Sequence, residues 1–132
     1  MINSNLIRQH KDFYELLNKM KGLLKNTSEN SKELALNINL LAGKLNIHLQ
    51  SEDKFLYPTL INSQDIKLKN IAKDFINEMG HIANTYSDFK VKYNTQKKIL
   101  DNLNDFNKDC TLIINTIENR LMKEDTKLYV LL

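Results

Sequence analysis

Helix-breaking residues are scarce: the 132 residues include one proline and three glycines. Few points are left where a long helix must end, and Leu, Ile, Lys, Glu and Asn fill the periodic stretches, so the expected fold class is all-α. Cysteine is nearly missing too. Cys110 stands alone and cannot form an intramolecular disulfide, which suits a reducing compartment and a cytoplasmic location. No block of one charge sign is present. The formal charge is +3, and Lys alternates with Asp and Glu instead of gathering with aromatics, which speaks against a nucleic-acid partner. No apolar run is long enough to span a bilayer. No signal peptide is expected, because Met1 to Leu6 is polar and Arg8, His10 and Lys11 interrupt the apolar positions that follow. A Gly-rich phosphate loop and a nucleophile elbow are both lacking, which leans the reading away from an enzyme.

What is present is helical periodicity. The length suits a single domain over residues 1–132 with a core of its own. Four segments carry apolar residues at three-and-four spacing. The first holds Leu6, Phe13, Leu17, Met20 and Leu24, with Asn3 or Ser4 as candidate caps, and stops in Asn26-Thr27-Ser28-Glu29-Asn30. The second starts at about Ser31, turns Leu34, Ile38, Leu41 and Leu45 inward, and ends near Tyr57-Pro58, where a first-turn Pro allows a short extension. After a loop at Asn62-Ser63-Gln64-Asp65, the third aligns Leu68, Ile71, Phe75, Met79, Ile82, Tyr86, Phe89 and Tyr93 and passes Gly80. Asn94-Thr95 or Asn102-Leu103-Asn104 breaks the chain before the fourth, with Phe106, Cys110, Ile113, Ile117, Leu121 and Leu128. Short connections make neighbours antiparallel, so the expected architecture is an up-down-up-down four-helix bundle. In such a bundle the start of the first and third helices and the end of the second and fourth share one end.

Polar residues interrupt the apolar stripes at that end. His10 follows the rhythm of Leu6, Phe13 and Leu17. His48 and Glu52 continue Leu41 and Leu45 as a His-x-x-x-Glu pair whose spacing stacks both side chains on one face, and Glu124 continues Ile117 and Leu121. Two imidazoles and two carboxylates in one core layer cannot stay unpaired without a large penalty. A divalent or trivalent metal satisfies them; neutral imidazole and carboxylate suit iron, manganese or zinc. His10, His48, Glu52 and Glu124 are therefore the expected metal ligands.

The run Glu52-Asp53-Lys54-Phe55-Leu56-Tyr57 is echoed by Glu124-Asp125-Thr126-Lys127-Leu128-Tyr129. Through IRQHKDF, IHLQSEDKFLYP and RLMKEDTKLY, the chain resembles the hemerythrin-like (HHE) cation-binding family over its whole length. The resemblance implies a non-haem iron centre of one or two ions, held by a His on the first helix, a His-x-x-x-Glu on the second, a His on the third and a second His-x-x-x-Glu on the fourth. It also implies a carrier or sensor of oxygen, nitric oxide or redox state, with a metal ion and a diatomic gas as partners.

Two departures stand against the family pattern. Arg120 occupies the fourth position before Glu124, where the pattern has a His, and it cannot ligate a metal. On the third helix the inner position nearest the site is Met79; Glu78 beside it reads as a boundary carboxylate, and His81 lies about 200° around an ideal helix and reads as a surface residue. The ligand set supports one metal better than two. A competing reading is a metal-free bundle in which Arg120 neutralises the site carboxylates and the protein acts through protein partners. Tyr86, Phe89, Tyr93 and Cys110 read as core.

Overall fold

The apolar stripes fold as helices in the computed structural model, which describes residues 4–131. Four long helices, α1 (Ser4–Leu23), α2 (Ser31–Phe55), α4 (Ile66–Tyr93) and α6 (Leu103–Lys123), are joined through two short ones, α3 (Tyr57–Ile61) and α5 (Gln96–Leu100). No strand occurs among the described residues. Asn3, one of the candidate caps, lies outside them, and Ser4 is the first residue of α1 rather than its cap. The chain bends at Leu56, and Pro58 then sits in the first turn of α3, where its missing N–H is harmless. Asp65 caps α4 by accepting from the backbone N–H groups of Lys67 and Leu68. Both candidate breaks before the last helix are used, since Thr95 caps α5 and Asn102 precedes α6. Gly80 passes inside α4 without interrupting it.

α1 packs on α2 and α6, and α4 packs on the same two, which is the ring of neighbours that an up-down-up-down bundle produces. The core is in two parts. The larger cluster runs from Phe13, Leu45, Met79 and Leu121 down to Phe89, Tyr93 and Phe106; the smaller comprises Leu6, Leu56, Tyr57, Leu60, Ala72, Phe75, Leu128 and Tyr129. Along α1 the order is Leu6, His10, Phe13; along α2 it is Leu45, His48, Glu52, Leu56; along α6 it is Leu121, Glu124 and, beyond the helix end, Leu128. A polar layer thus separates the two apolar clusters. Met79 and the Tyr86, Phe89, Tyr93 stripe are core, as is Cys110, while His81 is exposed. No described helix is long and apolar enough to cross a membrane.

Away from the polar layer, the bundle is closed by aromatic packing. Phe106 is fully buried, with its ring edge-on to Tyr93 at 5.0 Å and stacked with Phe89 at 6.3 Å. Phe106→Ala should lower the unfolding free energy by about 3–5 kcal/mol in urea titration. A loss below about 1 kcal/mol would contradict this packing.

Candidate metal centre

All four expected ligands arrive in the polar layer. His10 is 3% exposed, and His48, Glu52 and Glu124 are fully buried. His10 Nε2 lies 3.2 Å from His48 Nε2 and 3.0 Å from Glu124 Oε1. His48 Nε2 lies 3.4 Å from the same Glu124 oxygen and 3.2 Å from Glu52 Oε1. Bonds of about 2.1 Å around one ion give ligand–ligand edges of about 3.0 Å in an octahedron and about 3.4 Å in a tetrahedron. The observed separations fall in that range, and the donor atoms of His10, His48 and Glu124 all lie within 4.8 Å of one another. Glu52 Oε1, although near His48, has no aligned hydrogen bond and is a buried orphan acceptor. An ion coordinated by this group would give that oxygen a partner.

The outer nitrogens of both rings are already committed. His10 Nδ1 donates to Asp125 Oδ1 at 2.8 Å, and the other Asp125 oxygen accepts from the Tyr14 hydroxyl at 2.8 Å. His48 Nδ1 donates to Gln9 Oε1 at 2.8 Å. Both imidazoles are therefore turned so that Nε2 faces the shared centre, the usual arrangement behind metal-bound histidines. The Tyr129 hydroxyl completes the layer, donating to Glu52 Oε2 at 3.1 Å and lying 3.0 Å from His10 Nε2.

Tyr129 reaches this place because α-helical winding stops. Five residues on from Glu124, an α-helix would have rotated Tyr129 about 140° away. Residues Glu124–Leu128 instead form a π turn, which winds less per residue and brings both Leu128 and Tyr129 inward. The echoed Tyr57 is turned inward by another device, the bend at Leu56 that ends α2. The repeated Glu-Asp-x-x-Leu-Tyr was the signal in the sequence that could have found Asp125 and Tyr129. Nothing in helical spacing marks Gln9.

The two glutamates differ in charge state. Burial raises the Glu52 carboxyl, and the charge of Glu124 adds to this against the lowering effect of His48 and Tyr129, so Glu52 holds its proton more tightly than an exposed carboxyl. Burial also acts to raise Glu124, but hydrogen bonds from His10 and His48 outweigh it and keep Glu124 ionised. For His48, burial favours the neutral ring, yet the hydrogen bond with Glu124 and the close carboxyls of Glu52 and Glu124 win and push it up to about 9. Without an ion, a proton on His48 Nε2 supplies the positive charge that this group of acceptors requires.

Arg120 is 2% exposed and closes the α4 side of the layer. Its Nε donates to Glu124 Oε2 at 3.3 Å, its Nη2 donates to the Phe75 carbonyl at 2.7 Å, and its guanidinium stacks 4.3 Å above the Phe75 ring. The expectation that it neutralises the site carboxylates holds for Glu124 and not for Glu52. Its second acidic neighbour is Glu78, 3.4 Å from Nη1. Glu78 is a boundary carboxylate, bonded to Lys123 at 2.8 Å. Glu78 and His81 have a Glu-x-x-His spacing, but the exposed His81 does not join the layer. Arg120→Ala would leave the buried Glu124 charge short of its fixed partner, and an unfolding titration should show a loss of about 3–5 kcal/mol. A loss well under 1 kcal/mol would place this pair among weak surface ion pairs.

Among models of known families, the hemerythrin HHE cation binding domain matches residues 1–132. No curated protein and no solved structure matches the chain. The family match spans every helix that supplies the buried histidines and carboxylates, and the chain belongs to the hemerythrin HHE cation-binding domain family.

Proposed function

We propose that this protein binds one non-haem iron ion through His10, His48, Glu52 and Glu124, and that it serves in the cytoplasm as a carrier or sensor of oxygen, nitric oxide or redox state. The observation that carries this reading is the pair of Nε2 atoms facing each other at 3.2 Å with both Nδ1 atoms already donating outward. Two such lone pairs need a cation or a proton between them. Two imidazoles and two carboxylates are a donor set that suits iron(II), and single attachment of each leaves up to two of six positions for an exogenous ligand. When bound, iron supplies one-electron chemistry and an affinity for diatomic gases.

The chain's own residues supply the rest. Glu124 bears the negative charge that meets the cation, with Arg120 fixing its outer oxygen. Glu52 offers its unpaired oxygen, while the apolar clusters above and below keep bulk water away. The ion pair between Arg120 and Glu124 is the observation that favours the competing reading, a metal-free bundle acting through protein partners.

Metal analysis and a visible spectrum of protein purified without chelator separate the two. We expect stoichiometric iron and a coloured sample; a colourless sample without iron, manganese or zinc would leave the metal-free reading. Affinity should also depend on pH. The His48 proton is held up to about 9, so an ion must displace it at lower pH, and affinity should rise with pH and level off above that value. For one displaced proton the slope is about tenfold per pH unit. Affinity unchanged between about pH 5 and pH 8 would rule out histidine ligation.

A further inference from the structure

Gln9 precedes His10 on α1, yet its side chain serves the other histidine, on α2. A ring that ligates through Nε2 must keep its proton on Nδ1, so its outer partner must accept. For His10 the Asp125 carboxylate can only accept. For His48 the partner is an amide, which can present either an oxygen or an NH2 group, and something else must decide which.

A chain of hydrogen bonds decides it. The Ile47 backbone carbonyl can only accept, and it takes the Ser51 hydroxyl proton at 2.9 Å. The Ser51 oxygen, its proton spent, accepts from Gln9 Nε2 at 3.1 Å. The amide nitrogen is thereby held on the Ser51 side, so Oε1 faces His48 and takes the Nδ1 proton at 2.8 Å. Each role follows from the one before, starting at a backbone group whose role cannot change. Were the amide reversed, its NH2 would face Nδ1, and the His48 proton would sit on Nε2, in the space the ion needs.

We infer that Gln9, fixed by Ser51, is the positioning residue that holds His48 in its Nδ1-protonated form and thereby sets the affinity of the site for its ion. This inference rests on the metal-binding reading above. It makes the amide–serine pair the counterpart of the carboxylate–tyrosine pair behind His10, so that each ligand ring is oriented by its own two-residue support.

The test uses the full chain with zinc(II), whose diamagnetism permits nitrogen-15 NMR of the loaded protein. Gln9→Leu should weaken zinc binding by about 10–100-fold, the usual effect of losing such a support. Gln9→Glu should restore most of it, because a carboxylate oxygen accepts the same proton. In the zinc-loaded parent and in Gln9→Glu, the His48 ring proton should appear on Nδ1. Unchanged zinc affinity in Gln9→Leu, equal weakening in both variants, or a His48 proton on Nε2 in the parent would each overturn the inference while leaving metal binding intact. Failure of the parent chain to bind either zinc(II) or iron(II) would remove the metal-binding reading and the inference together.

Discussion

The structure is organised around a demand for positive charge inside an apolar bundle. His10, His48, Glu52 and Glu124 lie between two hydrophobic clusters, and their acceptor atoms converge within hydrogen-bonding distance of one another. In such a low-dielectric layer an uncompensated carboxylate or a pair of opposed lone pairs is strongly unfavourable. The identity of the residues around the layer follows from that. Asp125 and Gln9 accept the outer ring protons, Tyr129 satisfies one oxygen of Glu52, and Arg120 meets one oxygen of Glu124.

Glu124 shows how the layer is divided. One of its oxygens faces the two imidazoles and the other faces the guanidinium, so the carboxylate links a place for a cation to a cation already built in. On the histidine side the two Nε2 atoms and a Glu124 oxygen face one another, and Asp125 and Gln9 hold the rings from behind. On the α4 side the neighbours are the Phe75 ring and carbonyl and the boundary carboxylate of Glu78, arranged to hold Arg120. The site is therefore one-sided, and its second side is a protein charge.

Much of this was legible in the sequence because helical spacing carries information about faces. Leu6, His10 and Phe13 share a stripe, as do Leu45, His48 and Glu52, and antiparallel packing then brings both to one end; the four helices and the convergence of His10, His48, Glu52 and Glu124 in one layer follow from period and loop length alone. What spacing could not show lies where winding changes or where a partner comes from another helix. Tyr129 is carried inward by the π turn that begins at Glu124, against its α-helical phase. Gln9 and Ser51 sit at the edge of their helices' buried faces and look like solvated polar residues until α1 and α2 are brought together. Arg120 was visible as a departure from the family pattern, but its grip on Phe75 and Glu78 depends on the register of α6 against α4, which no one-dimensional pattern contains.

The central claim is that the layer takes one ion, ligated by two imidazoles, beside a fixed guanidinium. X-ray absorption on the iron-loaded protein reads both parts at once. The account predicts a nitrogen and oxygen shell at about 2.1 Å with the multiple scattering of two imidazoles and no metal–metal path. A scattering path from a second metal at about 3.5–4 Å, or a shell without imidazole, would contradict it.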